Sequence, residues 1–332
     1  PITIKAMVDA VINLGLQPVF VDIDLDTYCF DVNELKKNIT PNTKAILVTY
    51  LFGTVPNVEE IINTTKENNL FVIEDFSQCL NGEYVGVKVG NFGHVGVYSS
   101  STTKTLDTYG GGVCVTSDSK LHKQLQKYEN NLKPAKRIRL VKNIFTDFIR
   151  NFATNYLVFT LFTLPSIKLF EKFSNKSVMQ YVGKRELSKV DSLPDFWFEK
   201  YTSFQAKFGS KQIKTVLNND IRRISNVDYL LSNNKGKSYK FAKGAIATNN
   251  VYWQLILIYS EVSSVRKNFL KSKIDTSTTS LPLLSDLDYV DNFNTPNAKK
   301  LKENGLFIPS YPKLNNEQLI RIKNTITLMD TC

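Results

Sequence analysis

Histidine is almost missing from this chain, with only His94 and His122 among 332 residues. The four cysteines, Cys29, Cys79, Cys114 and Cys332, are scattered and form no CxxC pair. A zinc site needs closely spaced N and S ligands, so this spacing argues against one. Such cysteines are expected to be buried, reduced thiols in a cytosolic protein. No uninterrupted apolar run reaches the length of a membrane span. The greasiest stretch, Asn155–Phe170, is broken by Pro165 and Lys168. The basic start, apolar run and cleavage site of a signal peptide are missing too, and the chain opens on Pro1. A fragment or a processed form is therefore expected. Acidic residues are in deficit, 31 against 42 Lys and Arg, for a net charge of +11. That charge invites a nucleic-acid partner. RNP, KH and zinc patterns are missing, however, and much of the excess sits between Lys133 and Arg150 beside apolar residues. We therefore expect no nucleic-acid partner.

What remains is ordinary for a soluble globular protein, 42% apolar and 22% charged, with length for two domains. Residues 1–131 alternate between helical and strand patterns. Ala6, Met7, Ala10, Val11 and Leu14 follow helical spacing. Pro18–Ile23, Thr43–Tyr50, Leu70–Asp75, His94–Ser99 and Gly112–Ser117 read as strands, and Thr43–Tyr50 is apolar enough for a sheet covered on both faces. Asn57 with Glu60 three residues on marks a helix start, with Val58, Ile61 and Ile62 as its buried stripe. This rhythm predicts an α/β fold, a mostly parallel sheet flanked by helices.

Residues 132–199 break the rhythm. Val141, Ile144, Phe145, Phe148 and Phe152 share one helical face, with Arg139, Lys142 and Arg150 off it. The apolar stretch Asn155–Phe170 follows. Two readings stand side by side: peripheral membrane contact through residues 133–172, and a helical hairpin buried in an interface. Residues 200–332 read as a smaller α+β domain. It has a long helix from Ser203 to Leu231, a strand over Asn249–Ser260, a helix over Val262–Lys273, and a last helix opened by Asn315 and Gln318 with Leu319, Ile322 and Ile326 inward.

The chemistry concentrates in Val97–Gly112, VYSSSTTKTLDTYGGG. The Lys104-Thr105 pair ends like a P-loop, but that motif wants glycine where Tyr98 and Thr103 stand. Lysine can also act as a nucleophile toward an aldehyde such as pyridoxal phosphate (PLP). PLP needs a carboxylate at its ring nitrogen, hydroxyls and N–H groups at its phosphate, and a flat neighbour. Asp75 ends a strand, where α/β sheets place functional groups. Gln78 follows three residues on. Ser99, Ser100, Ser101, Thr102 and Thr103 offer hydroxyls, and Gly110–Gly112 permit close backbone approach. Taken singly, Asp75 also suits a strand-end cap and Lys104 a solvated loop.

Taken in order, the motifs resemble the DegT/DnrJ/EryC1/StrS family of PLP-dependent nucleotide-sugar aminotransferases, of fold type I. The similar stretches are GLQPVFVDIDLDTYCFD (15–31), ITPNTKAILVTYLFG (39–53), IEDFSQ (73–78), VGNFGHVGVYSSSTTK (89–104), SFQAKFGSKQI (203–213) and LFIPSYPKLNNEQL (306–319). The resemblance implies a PLP-binding large domain over 1–131 lacking its N-terminal part, with the family's glycine-threonine phosphate turn. It leaves a basic, apolar insertion over 132–199 and a C-terminal small domain over 200–332. It makes Lys104 the catalytic Schiff-base lysine and proton carrier. Asp75 becomes the partner of the pyridine nitrogen, Gln78 a contact of the ring and its hydroxyl, and Ser99 a phosphate ligand. The implied reaction moves an amino group, from glutamate, onto a nucleotide-linked keto-sugar for cell-surface polysaccharide or lipopolysaccharide assembly. The implied enzyme is a homodimer. The expected location is the cytoplasm, and the membrane-contact reading of residues 133–172 would add a peripheral position on the inner face of the membrane. Departures from the pattern are Ile4 near the place of a ring-stacking aromatic, Ser100 for an aromatic, His94 for an aspartate, and Phe198 for a phosphate-contacting asparagine. They keep a second reading in view, a catalytically degenerate PLP-fold protein acting as a membrane-associated scaffold or regulator.

Overall fold

The computed structural model describes residues 1–163, 165–166, 169, 187–232 and 238–331. Three strands, β1 (Ala45–Thr49), β2 (Phe71–Asp75) and β5 (Val95–Ser99), run parallel, and β6 (Gly112–Val115) closes the sheet antiparallel, in the order β1-β2-β5-β6. Alternate residues point to opposite faces. Ile46, Val48 and Val72 therefore enter one core with Val58 and Ile61 of helix α3 (Val58–Glu67) and Leu35 of helix α2 (Val32–Asn38). Asn57 caps α3 as its spacing predicts, accepting from the Glu60 N–H at 3.2 Å. On the other face Leu47 and Phe71 stay 36% exposed. The continuous burial expected for Thr43–Tyr50 is thus replaced by alternation.

Glu74 lies on the core face of β2, 1% exposed. Its carboxylate accepts from the Tyr50 hydroxyl and from the N–H groups of Gly90 (2.8 Å), Phe92 (2.7 Å) and Gly93 (2.5 Å). Those bonds fix the turn that feeds β5. His94 takes up the start of β5, far from the strand's functional end. Its Nδ1 accepts from the Val72 N–H at 2.9 Å and its ring stacks on Phe71.

Pro18–Ile23 does not form the expected strand. It runs extended, with one bridge between Ile23 and Phe30. The reason is a distant demand on Asp22, whose carboxylate accepts from the N–H groups of Asn297 and Ala298, each at 2.9 Å. It thereby caps the helix Pro296–Asn304, whose own N-cap residue, Thr295, makes no side-chain cap bond. Around this cap the two ends of the chain share a core, in which Ile2, Ile23, Tyr28 and Phe52 pack with Ala242, Ile256, Leu283 and Leu301.

The C-terminal part builds on an antiparallel sheet, β10-β11-β9-β7, made of Ser277–Thr278, Gly305–Ile308, Leu255–Tyr259 and Tyr239–Lys240. All five residues of β9 are buried. The long helix Ser203–Leu231 and the last helix, Asn316–Thr331, cover it through Val227, Leu230, Ile322 and Ile326. Asn315 and Gln318 form the reciprocal start read from the sequence, at 3.0 and 2.9 Å. The single strand expected over Asn249–Ser260 is split. Thr248–Asn249 (β8) pairs with β3 (Glu83–Tyr84), itself paired with β4 (Val87–Lys88). The backbone between β8 and β9 is then claimed by the turn after β1: the N–H groups of Val251 and Gln254 donate to the carbonyls of Gly53 and Phe52, at 2.8 and 3.2 Å. Helix formation over Val141–Phe152 agrees with the sequence pattern, in α5 (Arg137–Ala153), which follows α4 (Ser119–Asn130). Ile144 turns half inward, whereas Ile138 and Ile149 join the exposed face. Leu164, Ile167, Lys168 and Phe170 of the apolar stretch, and residues 171–172 of the expected contact, lie outside the described residues. Among the described residues no helix is long and apolar enough to cross a membrane.

Candidate active site

The parallel strands end along one edge, and the register sets Asp75 beside Val97 and Ser99 beside Gly112. Ligand sites of open α/β sheets lie off such strand ends. There a cleft of about 260 Å³ collects Asp75, Gln78, Ser99 and Lys104. All four residues singled out from the sequence therefore line one space. Ser77, which the sequence reading passed over, lines it too, as do Thr3, Ile4 and Met7 at the start of the chain. Helix α1 (Lys5–Asn13) places Met7, and Ile4 stands at its N-cap.

Asp75 is 5% exposed, and its Oδ1 accepts from the Ser77 N–H at 3.0 Å. Burial pushes its carboxyl above the ordinary carboxylate value, while Ser77 and the charge of Lys104 pull the other way. Burial likewise pulls the Lys104 amine below its ordinary value, opposed by Asp75. Both shifts have one physical cause, the cost of charge away from water. The Lys104 Nζ lies 4.9 Å from the centre of the Trp253 ring, within reach of a cation–π contact. The Gln78 Oε1 accepts from the Phe52 N–H at 2.6 Å, which fixes the amide and leaves its NH2 end for a ligand. The Ser99 N–H donates to the Ser77 Oγ at 2.8 Å, and the Ser99 hydroxyl donates to the Ser101 Oγ at 3.0 Å. These three hydroxyls form a small polar cluster beside the lysine.

The loop that carries Lys104 is held from two sides. Gln205 donates from Nε2 to the carbonyls of Thr108 (3.1 Å) and Gly110 (2.9 Å), and Gln212 donates to that of Asp107 (2.9 Å). Seven residues is about two helical turns, so both amides project from one face of the long helix. Gly209 lies between them, where an added Cβ would sit 3.1 Å from the Thr108 Cγ2. From the other side, Asn143 of α5 donates to the Tyr109 carbonyl at 2.8 Å, and Thr102 donates to Asp147 at 3.3 Å. Ser100, where an aromatic was expected, is 1% exposed and donates to the Gly110 carbonyl at 3.2 Å. The ring of Tyr201 occupies the neighbouring space, its hydroxyl 2.5 Å from the Thr108 Oγ1. Gly111, at φ 82°, leaves room for that ring, which an added Cβ would meet at 2.5 Å. Thr103, just before the lysine, holds φ 80°, a conformation unusual for a β-branched residue. Phe198 lies outside the cleft, in a short turn where its carbonyl accepts from the Lys133 N–H at 3.2 Å.

The set suits PLP by its chemistry. It offers one half-buried amine, one buried carboxylate, an amide with a free NH2 end, and a hydroxyl cluster. The volume falls just under the roughly 300–1,000 Å³ of drug-sized ligand sites, as a single small ring requires.

Residues 1–155 match the DegT/DnrJ/EryC1/StrS aminotransferase family. Along almost its whole length the chain is similar to the GDP-perosamine synthase of Escherichia coli O157:H7, 26% identical over 98% of this chain and 76% of that protein. Its fold is that of an aminotransferase from Psychrobacter cryohalolentis, with a TM-score of 0.72 at 19% identity over 98% of this chain and 78% of the other. It is also that of a Streptococcus pneumoniae chain solved in a PMP form, with a TM-score of 0.71 at 18% identity over 99% and 80%. The motifs read in order, the matched segment and the near full-length likeness agree, and the first 155 residues carry the pattern of the DegT/DnrJ/EryC1/StrS aminotransferase family.

Proposed function

We propose that this chain binds PLP through Lys104 and transfers an amino group, from glutamate, to the keto group of a nucleotide-linked sugar. The observation that carries this reading is the convergence of Lys104, Asp75, Gln78 and Ser99 on one cleft at the ends of β2 and β5. When bound, PLP supplies an electrophilic aldehyde carbon and a ring able to spread negative charge. Lys104 Nζ would be the group that holds that carbon, and burial, which lowers its pKa, favours the unprotonated amine. Nζ would also carry a proton between carbon centres within each half of the transfer. The Asp75 carboxylate would keep a proton on the ring nitrogen. The Gln78 amide would donate to the ring's hydroxyl side. The Ser99 hydroxyl would bind phosphate oxygens, with Ser77 and Ser101 beside it. The Trp253 ring packs against the Lys104 amine.

The GDP-perosamine synthase likeness supports a nucleotide-linked sugar acceptor. The family resemblance supports a homodimer. The free thiols of Cys29 and Cys79, buried and unpaired by disulfide, suit the cytoplasm. The test is incubation of the PLP-loaded protein with glutamate and a panel of nucleotide-linked keto-sugars, reading 2-oxoglutarate and aminated sugar. Turnover with at least one sugar is expected. PLP binding with no transfer to any of them would favour the scaffold reading, and absence of PLP binding would overturn both.

A further inference from the structure

One face of α5 is bare. Ile138, Val141, Phe145, Phe148, Ile149 and Phe152 are 49–75% exposed and share an arc of about 100° at 3.6 residues per turn. The chain beyond the helix continues the same character, with Leu157, Leu161 and Phe162 64–67% exposed. Isolated exposed apolar residues need no explanation, but a contiguous set this large marks an interaction surface. The helix cannot roll to hide it, because the opposite face is bonded inward. Asn143 and Asp147 hold the lysine loop there, and Arg150 pairs with Asp147 at 2.6 Å.

The charges say what kind of surface fits. On the helical wheel Arg137 and Lys142 border the apolar arc on its two sides, both exposed. Among the described residues neither is in an ion pair, whereas Arg139 is committed to Glu199 at 2.6 Å. Lys133 and Lys136 lie just before the helix. The one acidic residue of α5, Asp147, is buried on the far side. A second copy seated on this face by a two-fold axis would bring the same basic border against itself, and like charges across an interface repel. A bilayer with anionic headgroups accepts both features, apolar side chains at the acyl boundary and cations at the phosphates. We infer that α5, with Leu157, Leu161 and Phe162 after it, docks in the plane of an anionic membrane surface. The docked helix is the one that holds the Lys104 loop from behind, so the cleft sits close above the lipid. The inference rests on the surface alone and stands whether or not the chain transfers amino groups.

Flotation of the full chain tests it, with vesicles of phosphatidylcholine alone and of phosphatidylcholine mixed with phosphatidylglycerol. The protein is expected to float with the anionic mixture, to stay below with phosphatidylcholine alone, and to be released by high salt. Phe145→Glu with Phe148→Glu, and separately Arg137→Glu with Lys142→Glu, are expected to lower vesicle partition roughly tenfold or more. These side chains are exposed, and an unchanged circular dichroism spectrum confirms that each variant folds. The inference is overturned if the wild type fails to float with anionic vesicles, floats equally with neutral ones, or floats no better than the variants. It is also overturned if the phenylalanine variant halves the mass seen by light scattering, because the face then belongs to a second copy.

Discussion

Asp75 and Lys104 are kept where neither is at ease as an ion. A carboxyl whose folded pKa is raised loses stability as pH climbs through and beyond its unfolded value, because only the unfolded chain ionises it freely. An amine whose folded pKa is lowered costs stability wherever the unfolded lysine is charged, and the cost is relieved as pH rises toward 10.5. Both penalties therefore coincide near neutral pH, in the protein without cofactor. Asp75→Asn is expected to raise the apo melting temperature at pH 7.5, with the difference shrinking as pH falls toward the ordinary carboxylate value of 3.8. The same variant is expected to bind PLP more weakly, since its amide cannot offset a proton on the ring nitrogen. Thermal melts across pH, with and without PLP, check both halves. A lower apo melting temperature at pH 7.5 would mean that the Asp75 charge stabilises the empty site. The pH dependence of PLP capture gives a further readout, with a midpoint expected below the ordinary lysine value of 10.5.

Between elements, the lysine loop is held by amides that reach across from helices. Gln205 is 7% exposed and serves both its own helix start and two loop carbonyls. Truncating it leaves the buried Thr108 carbonyl without its side-chain donor, a cost of about 1–3 kcal/mol. Gln205→Ala is expected to lower the unfolding free energy by that amount and to speed PLP release. Gln212→Ala, more open to water, is expected to do less. Denaturant titration and a PLP off-rate measurement check this, and equal effects from the two would contradict the burial argument. These roles explain what the motif around Ser203–Ile213 does, which the sequence shows only as a resemblance. The spacing places two glutamines and a glycine on one face, but the carbonyls they serve lie about a hundred residues earlier in the chain. Asp75, Gln78, Ser99 and Lys104 were legible as a group because each sits at or within five residues after the end of β2 or β5, where a local pattern predicts the element, while their roles came from the resemblance. Ser77 could have been found by the same logic, as the hydroxyl residue between Asp75 and Gln78. Trp253 could not, because its segment has the pattern of a strand and only the turn at Phe52–Val55 pulls it out of one.

At the scale of the whole molecule, the two ends of the chain are stitched together. Asp22 supplies the cap for a helix that begins at Pro296, and Tyr28 donates to the Ile256 carbonyl at 3.2 Å. The alternating pattern of Pro18–Ile23 gives no sign of this, since a strand and a tertiary cap demand the same extended backbone. Asp22→Ala is expected to cost about 1–2 kcal/mol. Denaturation should keep one transition, because the shared core ties the two ends. Two separated transitions in the variant would show that the cap, and not the core, couples them. The apolar helix stood out in the sequence by its periodicity, while its bare face became visible only with its inner bonds in place.

The central claim is that Lys104 is the residue that takes PLP. The direct test is to incubate the chain with PLP, reduce with borohydride, digest, and map the labelled lysine by mass spectrometry. The account predicts one saturable label on Lys104, absent from Lys104→Ala, in a protein whose circular dichroism is unchanged. Labels spread over surface lysines with Lys104 unmodified, or a Lys104→Ala variant labelled as fully as the wild type, would contradict it.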